Sequence, residues 1–308
     1  MSAPAGTARK SRVFYVFVLP WVIGFLTLTA FPLAYAFWLS LTSADVLSQD
    51  SDFVGAANYT ELLHDARAGE AFARTALFTL ATVPASVLGG LLLAVLVQRP
   101  LPGRAFYRAA FFLPSVVPPV ATAIAFKALF ARDTGAVNGV LGLAGAEAVT
   151  WTEGPHMTAV LVCLALWGVG SFMTISLAAL QDVPRDLFDA ALVDGAGALR
   201  TFTAVTLPLI SPVLLFQAVT GVTAGLQTFL PALLLAPGSG GGDLTTMPQG
   251  GYFFMIHVYV AYFAEGRFGY ASALLWVLFL LTLACTGVLF RLSRRFVFTL
   301  VGPGGGRP

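Results

Sequence analysis

The stretch Gln181-Asp-Val-Pro-Arg-Asp-Leu-Phe-Asp-Ala-Ala-Leu-Val-Asp-Gly-Ala-Gly-Ala-Leu-Arg-Thr-Phe-Thr-Ala-Val-Thr-Leu-Pro-Leu-Ile-Ser-Pro212 links two long apolar runs and carries charge between them. It is too long for a plain turn between bundle helices. Pro184 suits a first helical turn, and Leu187 to Val193 is an apolar-rich run compatible with helix. Asp182, Asp186 and Asp189 fall at i, i+4 and i+7 on one face of it. Gly195 and Gly197 then interrupt the run. Residues 198–206 resume helical character before Pro208 opens the next apolar run. The segment 182–206 is therefore expected to be a short helix, a glycine bend and a second short helix, standing as a knob at one end of a bundle.

What surrounds the knob decides the kind of bundle. Of 308 residues 57% are apolar and only 10% charged, with a mean hydropathy of +0.83. Such a composition belongs in a membrane. A hydrocarbon core about 30 Å thick is crossed by roughly twenty apolar helical residues, and the runs 13–41, 71–97, 105–130, 157–180, 207–236 and 270–290 all qualify. Prolines inside them (Pro20, Pro32, Pro84, Pro114, Pro118, Pro119, Pro212, Pro231) are tolerated where neighbouring helices satisfy the freed carbonyls. The expected fold is all-α and integral to the membrane: six kinked helices in one domain, 13–298, between a tail of residues 1–12 and a Gly-Pro tail, 299–308, expected to be disordered.

Basic residues give the orientation. With the amino terminus inside, twelve of the seventeen cations lie on the inner side: Arg9, Lys10, Arg12, Arg99, Arg104, Arg108, Arg185, Arg200, Arg291, Arg294, Arg295 and Arg307. That bias places both termini and the 182–206 knob in the cytoplasm. The first apolar run exceeds the roughly 7–15 residues of a signal-peptide core, so Ala34-Tyr35-Ala36 is read as helix and not as a cleavage site. The connection 42–70 is acidic and reads as a solvated outer loop or docking surface. In 237–269, the twelve mostly apolar residues Tyr252 to Phe263 are too few to span and are expected to form an interfacial or re-entrant helix.

Several functions are excluded. A net charge of +2 offers no nucleic-acid surface. The only lysines, Lys10 and Lys127, follow no phosphate-cradling glycine loop, and His64, His156 and His257 have no zinc-site spacing, so each is expected to be solvated or interfacial. Cys163 and Cys285 lie in apolar runs and build no disulfide framework. No catalytic residue and no metal ligand set emerges. A self-sufficient secondary transporter would carry ionisable groups in mid-span, and none stands there.

Against that background a resemblance becomes specific. Asp189-Ala190-Ala191-x-x-Asp194-Gly195-Ala196, with Phe202, Leu207-Pro208 and Pro212 after it, resembles the coupling-loop signature of permease subunits in bacterial ABC importers, closest to the carbohydrate-uptake kind that includes maltose and glycerol-phosphate permeases. Phe53-Val-Gly-x-x-Asn58-Tyr59, Gly103-Arg104-x-Phe106-x-Arg108 with Phe111-Phe-Leu-Pro114, and Phe268-Gly-Tyr-Ala-Ser-Ala273 agree with it, and the resemblance covers about residues 13–298. It implies a type I importer permease fold whose loop sits in a cleft of a cytoplasmic ATPase subunit. It implies that Asp189 takes the place of a glutamate that pairs with basic residues there, one methylene shorter, with Ala190 and Ala191 as a small packing face and Gly195 as the bend. It also implies partners: a second homologous permease, an ATPase dimer holding ATP and Mg, an extracellular or periplasmic solute-binding protein, and the membrane lipid. No cofactor is implied for this chain.

A sugar path through hydrocarbon calls for hydrogen-bonding and aromatic side chains turned inward. The candidates are Trp167, Gly168, Ser171 and Thr174 in the fourth run, with 167, 171 and 174 on one face, and Gln217, Thr220, Thr223 and Gln227 in the fifth. Trp167 would stack on a sugar ring, the glutamines would donate and accept, and Gly168 would leave room. Lys127, near the outer end of the third run, would snorkel to the interface or bind an anionic substrate.

Overall fold

Proline and glycine decide where these apolar helices break. In the computed structural model, which describes residues 6–46, 51–100, 102–237 and 247–294, regular structure is helical apart from an isolated antiparallel bridge between Thr42 and Phe53. The chain divides into two compact units, Met1–Asp65 with Ala261–Val277, and Ala66–Val260 with Leu278–Pro308.

The first unit holds α1 (Gly6–Phe25), α2 (Phe31–Ser40), α3 (Ala57–His64) and the start of α15 (Phe268–Ser293). α1 therefore begins inside the expected tail, and the expected solvated loop contains a helix. Asn58, buried, donates to the carbonyls of Ser40 and Thr42 at 2.8 and 2.9 Å and so closes the end of α2. Tyr59 Oη lies 2.7 Å from Ser40 Oγ. Gly269 admits the carbonyl of Thr42 where a Cβ would collide with it. Tyr270 donates to Asp65 at 2.6 Å, and Arg267 grips both carboxylate oxygens of Glu61 at 2.7 and 2.6 Å. Partial burial disfavours the charge of Arg267, but its hydrogen bond to Glu61 and the charges of Glu61 and Glu265 outweigh it and raise the guanidinium above its ordinary value. The 53–59 and 268–273 stretches are thus two sides of one polar clamp.

The second unit is built on α4 (Ala66–Gln98), followed by α5 (Arg104–Val116), α6 (Pro119–Leu129), α7 (Ala136–Leu143), α8 (Gly154–Trp167), α9 (Gly170–Gln181), α10 (Arg185–Val193), α11 (Ala198–Thr201), α12 (Leu207–Leu226), α13 (Leu230–Leu235) and α14 (Phe254–Tyr259). Glycines let α4 approach its neighbours. A Cβ on Gly90 would lie 2.5 Å from that of Phe172 in α9, and one on Gly225 of α12 would lie 2.8 Å from Thr79 Oγ1. Thr75, Thr79 and Thr82 each return their hydroxyl to a carbonyl four residues earlier at 2.8 Å, which satisfies them in an apolar setting.

Among the described residues five helices are long and apolar enough to cross a membrane, six if the bent pair α5–α6 makes one span, and their limits differ from expectation. Five are the apolar helices Phe14–Ser40, Ala66–Gln98, Gly154–Gln181, Ala198–Leu226 and Phe268–Ser293. The sixth is broken: α5 and α6 meet at 96°, because Pro118 and Pro119 both lack an N–H and force Val117 and Pro118 into extended backbone, ψ 133° and 134°. Pro208 does not open the fifth span. A five-residue π-helical stretch, Phe202–Thr206, widens the helix two residues before the ring, and the helix runs through. Pro32 follows the π stretch Leu26–Ala30 at the same spacing. Gln227 ends α12, so Pro231 belongs to the separate α13 and not to the span.

Three further expectations are corrected. The run Tyr252–Phe263 is not an interfacial helix with one face in lipid, since Phe253 and Ile256 are 0% exposed and Phe254, Val258 and Val260 are buried too; the re-entrant alternative is left standing, and only Tyr262 and Phe263 at the end of the run are exposed. His257 is buried there, its Nδ1 2.9 Å from Tyr252 Oη, instead of solvated. Lys127 neither snorkels nor waits for an anion, because Nζ donates to the carbonyls of Leu234 and Ala236 at 3.1 and 2.7 Å and caps the end of α13. The tail 299–308 lies outside the described residues, as do residues 1–5 and 238–246.

Candidate coupling site

The knob forms because its sequence stops one helix and starts another within four residues. Val183 is buried against the base of the bundle, and Pro184, with ψ 135°, ends the approach and precedes α10. Asp182 caps the end of α9, so it does not share a helical face with Asp186 and Asp189. At the far end Asp194 is the C-cap and Gly195 takes φ +71°, a left-handed conformation that favours glycine. The N–H of Ala196 bonds to Ala191 O at 2.9 Å and that of Gly195 to Leu192 O at 3.0 Å, the paired bonds of a Schellman motif. The turn direction is therefore set by backbone hydrogen bonds.

After Gly197 the chain is helical again from Ala198, but as the leading end of the fifth span and not as a separate short helix. Residues 194–197 alone thus join α10 to the end of a 29-residue helix. α10 is seated by Phe188 and Ala191. Phe188 packs on the cluster of Leu91, Val97, Leu177, Leu180 and Ile210, and Leu207 joins the same cluster from the fifth span, with Pro208 beside it. Asp189, Ala190 and Asp194 are exposed, and Asp189 has no ion-pair partner among the described residues. The surface offered outward is apolar as well as acidic, with Val193 88% and Leu192 75% exposed.

Of the expected path residues, on α8, α9 and α12 and at their ends, all but Gln217 are at least partly exposed. Trp167 is half exposed, 5.8 Å from the Phe126 ring. Gly168 is the break between α8 and α9. Ser171, Thr174, Thr220 and Thr223 bond back to carbonyls of their own helices at 2.9 to 3.0 Å. Gln217, 1% exposed, donates to Phe172 O at 2.9 Å and pairs with Ser176, tying α12 to α9. Gln227 is exposed at the end of α12. A cavity of about 200 Å³ does open between α4, α8 and α12, lined by Thr82, Ser86, Phe172, Gly221 and Thr228, and none of the expected path residues lines it. Thr82 and Ser86 stand in the second run, four apart on one face, and that spacing was the available signal.

A bent α5–α6 pair, glycine-sutured apolar helices and an exposed helix–glycine element at the bundle end describe a membrane component. Over residues 86–298 the chain matches the family of binding-protein-dependent transport system inner membrane components, and it belongs to that family. It is 32% identical to the probable ABC transporter permease protein YesP of Bacillus subtilis over 92% of this chain and 91% of that protein. It is 35% identical to the sulfoquinovosyl glycerol transport system permease protein SmoG of Agrobacterium fabrum, over 84% and 81%. Its fold is that of a chain in the crystal structure of a bacterial ABC transporter involved in the import of the acidic polysaccharide alginate, with TM-score 0.81 at 20% identity, covering 94% of this chain and 98% of that one.

Proposed function

We propose that the chain is the transmembrane permease subunit of an ATP-binding-cassette importer and that, with a second homologous permease, it forms the path for a sugar or related polyol. A solute-binding protein delivers the substrate from outside, and two ATPase subunits, holding ATP and Mg, drive the cycle from the cytoplasm. Both termini and α10 face the cytoplasm, as the distribution of arginines favours. The sugar class is supported by the sulfoquinovosyl glycerol permease among the relatives.

The observation that carries this reading is the form of α10. It is a short helix stopped by Gly195, rigid through its Schellman bonds, seated on the bundle by Phe188 and exposing Asp189 with no partner. Closure of the ATPase dimer on ATP binding moves α10 as a body. Because residues 194–197 are too short to absorb the motion, the fifth span tilts, and the α9–α12 contact through Gln217 carries the tilt to the fourth. This chain catalyses nothing itself.

The test separates coupling from folding. Asp189→Arg changes an exposed charge at no packing cost, and Gly195→Pro cannot adopt φ +71° because its ring holds φ near −65°. Both variants insert normally and abolish uptake in intact cells. Normal transport by both refutes the coupling role, and appreciable ATP turnover by the purified chain alone contradicts the division of labour.

A further inference from the structure

Two prolines stand near the coupling end of the fifth span, and the helix answers them differently. At Pro212 the missing N–H is replaced, because Ser211 Oγ donates at 2.6 Å to Pro208 O, the carbonyl four residues before the ring. At Pro208 the turn widens instead: the N–H of Leu207 passes the fourth carbonyl back and reaches Phe202 O, the fifth. A single π turn of this kind holds one residue more than the α turn it replaces. Thr201 and Thr203 add to the disturbance by returning their hydroxyls to Gly197 O at 3.2 Å and Leu199 O at 3.0 Å, bonds of a kind that bends helices. The backbone of the fifth span therefore has its softest point at Phe202–Thr206.

What lies on either side of that point differs. Toward Leu226 the helix is held, with Ile210 and Gln217 each 1% exposed and Gln217 donating to Phe172 O of α9 at 2.9 Å. Toward the knob, Ala191 is the one buried residue between Pro184 and Val205. A groove of about 470 Å³ separates this loosely seated part from α4, with Val95 on one wall, Phe188 and Leu192 of α10 on another, and Ala198, Phe202 and Thr206 along the span itself. Packed interiors leave few voids larger than a water molecule, so the walls do not touch across this one and have room to approach. The π stretch before Pro32 joins no held part to a free one, because from Leu26 to Leu39 no residue is buried.

We propose that Phe202–Thr206 is a flexible joint. When α10 is pushed, α11 swings with it toward α4, the groove narrows, and tilt reaches α12 only after the walls meet. From there Gln217 passes it to α9. The groove is thus free travel between the ATPase contact and the rest of the bundle, and the ATPase subunits engage α10 before the spans move. This rests on the coupling role of α10 and adds the place at which its stroke is divided.

The experiment uses the assembled transporter, both permeases with the ATPases, in nanodiscs, with spin labels on exposed positions outside the groove. One pair, Leu96→Cys with Arg200→Cys, reads from α4 to α11, and a second, Leu92→Cys with Phe216→Cys, reads from α4 to α12 beyond the joint. A non-hydrolysable ATP analogue, added without the binding protein, shortens the 96–200 distance and leaves 92–216 as it was; addition of the binding protein then changes both. Deleting Ala204 together with Pro208→Ala removes the extra residue and the ring and restores a continuous α-helix with both flanks at their original azimuth. A single deletion in an ordinary α-helix instead turns everything beyond it by about 100°. In the straightened chain the two distances change only together, and uptake is lost while the ATPases still copurify. A wild-type 96–200 distance that never shortens ahead of 92–216 overturns the proposal, as does normal uptake by the straightened chain. Should that variant fail to assemble, the wild-type distances decide alone. Failure of the coupling reading has a separate signature, normal uptake by Asp189→Arg and Gly195→Pro, whereas failure of the joint leaves both of those variants inactive.

Discussion

The two ends of the second unit are built to opposite standards. At the end remote from the coupling helix, Met157, Phe253, Ile256, Ala232 and Leu235 are all 0% exposed, in one cluster. Asn138 ties that end together with its side chain. Asn138 donates to Arg132 O and Val149 O at 2.9 Å, accepts from Val149 N at 3.2 Å and from Trp151 Nε1 at 2.8 Å, and so holds the whole 131–151 connection. At the coupling end, Leu192, Val193 and Leu199 are 75%, 88% and 77% exposed, and an open cavity lies behind them. The remote cluster is closed, although α7 beside it leaves Val140 and Leu143 66% and 90% exposed, whereas the coupling end has its exposed apolar side chains in front of an open cavity.

Mutations at the remote end should therefore cost stability in graded amounts. The largest effect is expected from Gly250→Val, because a Cβ at Gly250 lands on the backbone carbonyl of Gly154, which cannot move without shifting α8. About 3 kcal/mol should be lost, read as a fall in the apparent melting temperature in detergent. An unchanged melting temperature would mean that this end is looser than described. Asn138→Leu comes next, at about 2–3 kcal/mol, since Trp151 Nε1 and Val149 N–H lose their acceptor while half-buried. Limited proteolysis should then open the 131–151 connection first. Lys127→Met removes two charge-assisted hydrogen bonds and should cost about 2 kcal/mol. Full stability of that variant would show that α13 is held by packing alone.

What could be seen in the sequence, and what could not, follows the same physics. Span existence was legible because crossing a bilayer imposes a length of apolar helix, which no local detail can hide. Limits were not. Pro208 reads as a helix start, yet a π stretch two residues earlier absorbs the ring, and nothing in Phe202–Thr206 announces it. Pro118-Pro119 announces a break, but the size of the bend, 96°, is not written in the dipeptide. Tyr252–Phe263 is apolar whether its cover is lipid or protein, so composition alone left the interfacial and re-entrant alternatives both open. At the coupling element, Gly195 was legible because only a left-handed turn explains a glycine after Asp189-Ala190-Ala191-Leu-Val-Asp194. Hydroxyls in membrane helices satisfy themselves on their own carbonyls, and Gln217 found its partners in Phe172 and Ser176, forty-odd residues away in the chain.

The smallest stability effect is expected where exposure is greatest. Val193 ends α10 and Leu199 lies in the first turn of the fifth span, and serine at both positions removes apolar surface that the isolated chain leaves in contact with solvent. Substitutions at sites so exposed stay within about 0.5 kcal/mol of wild type, so the melting temperature of the Val193→Ser/Leu199→Ser variant should not move. Its retention of the ATPase subunits should fall, because each apolar side chain buried in a shared surface contributes about 1.5–3 kcal/mol to that contact. The two measurements have to diverge. A melting temperature lowered as far as in Lys127→Met would show that Val193 and Leu199 already pack within the chain, and the contrast between a finished end and an unfinished one would be lost. Undiminished ATPase retention at an unchanged melting temperature would place the contact elsewhere on α10, on the face of Asp186 and Asp189.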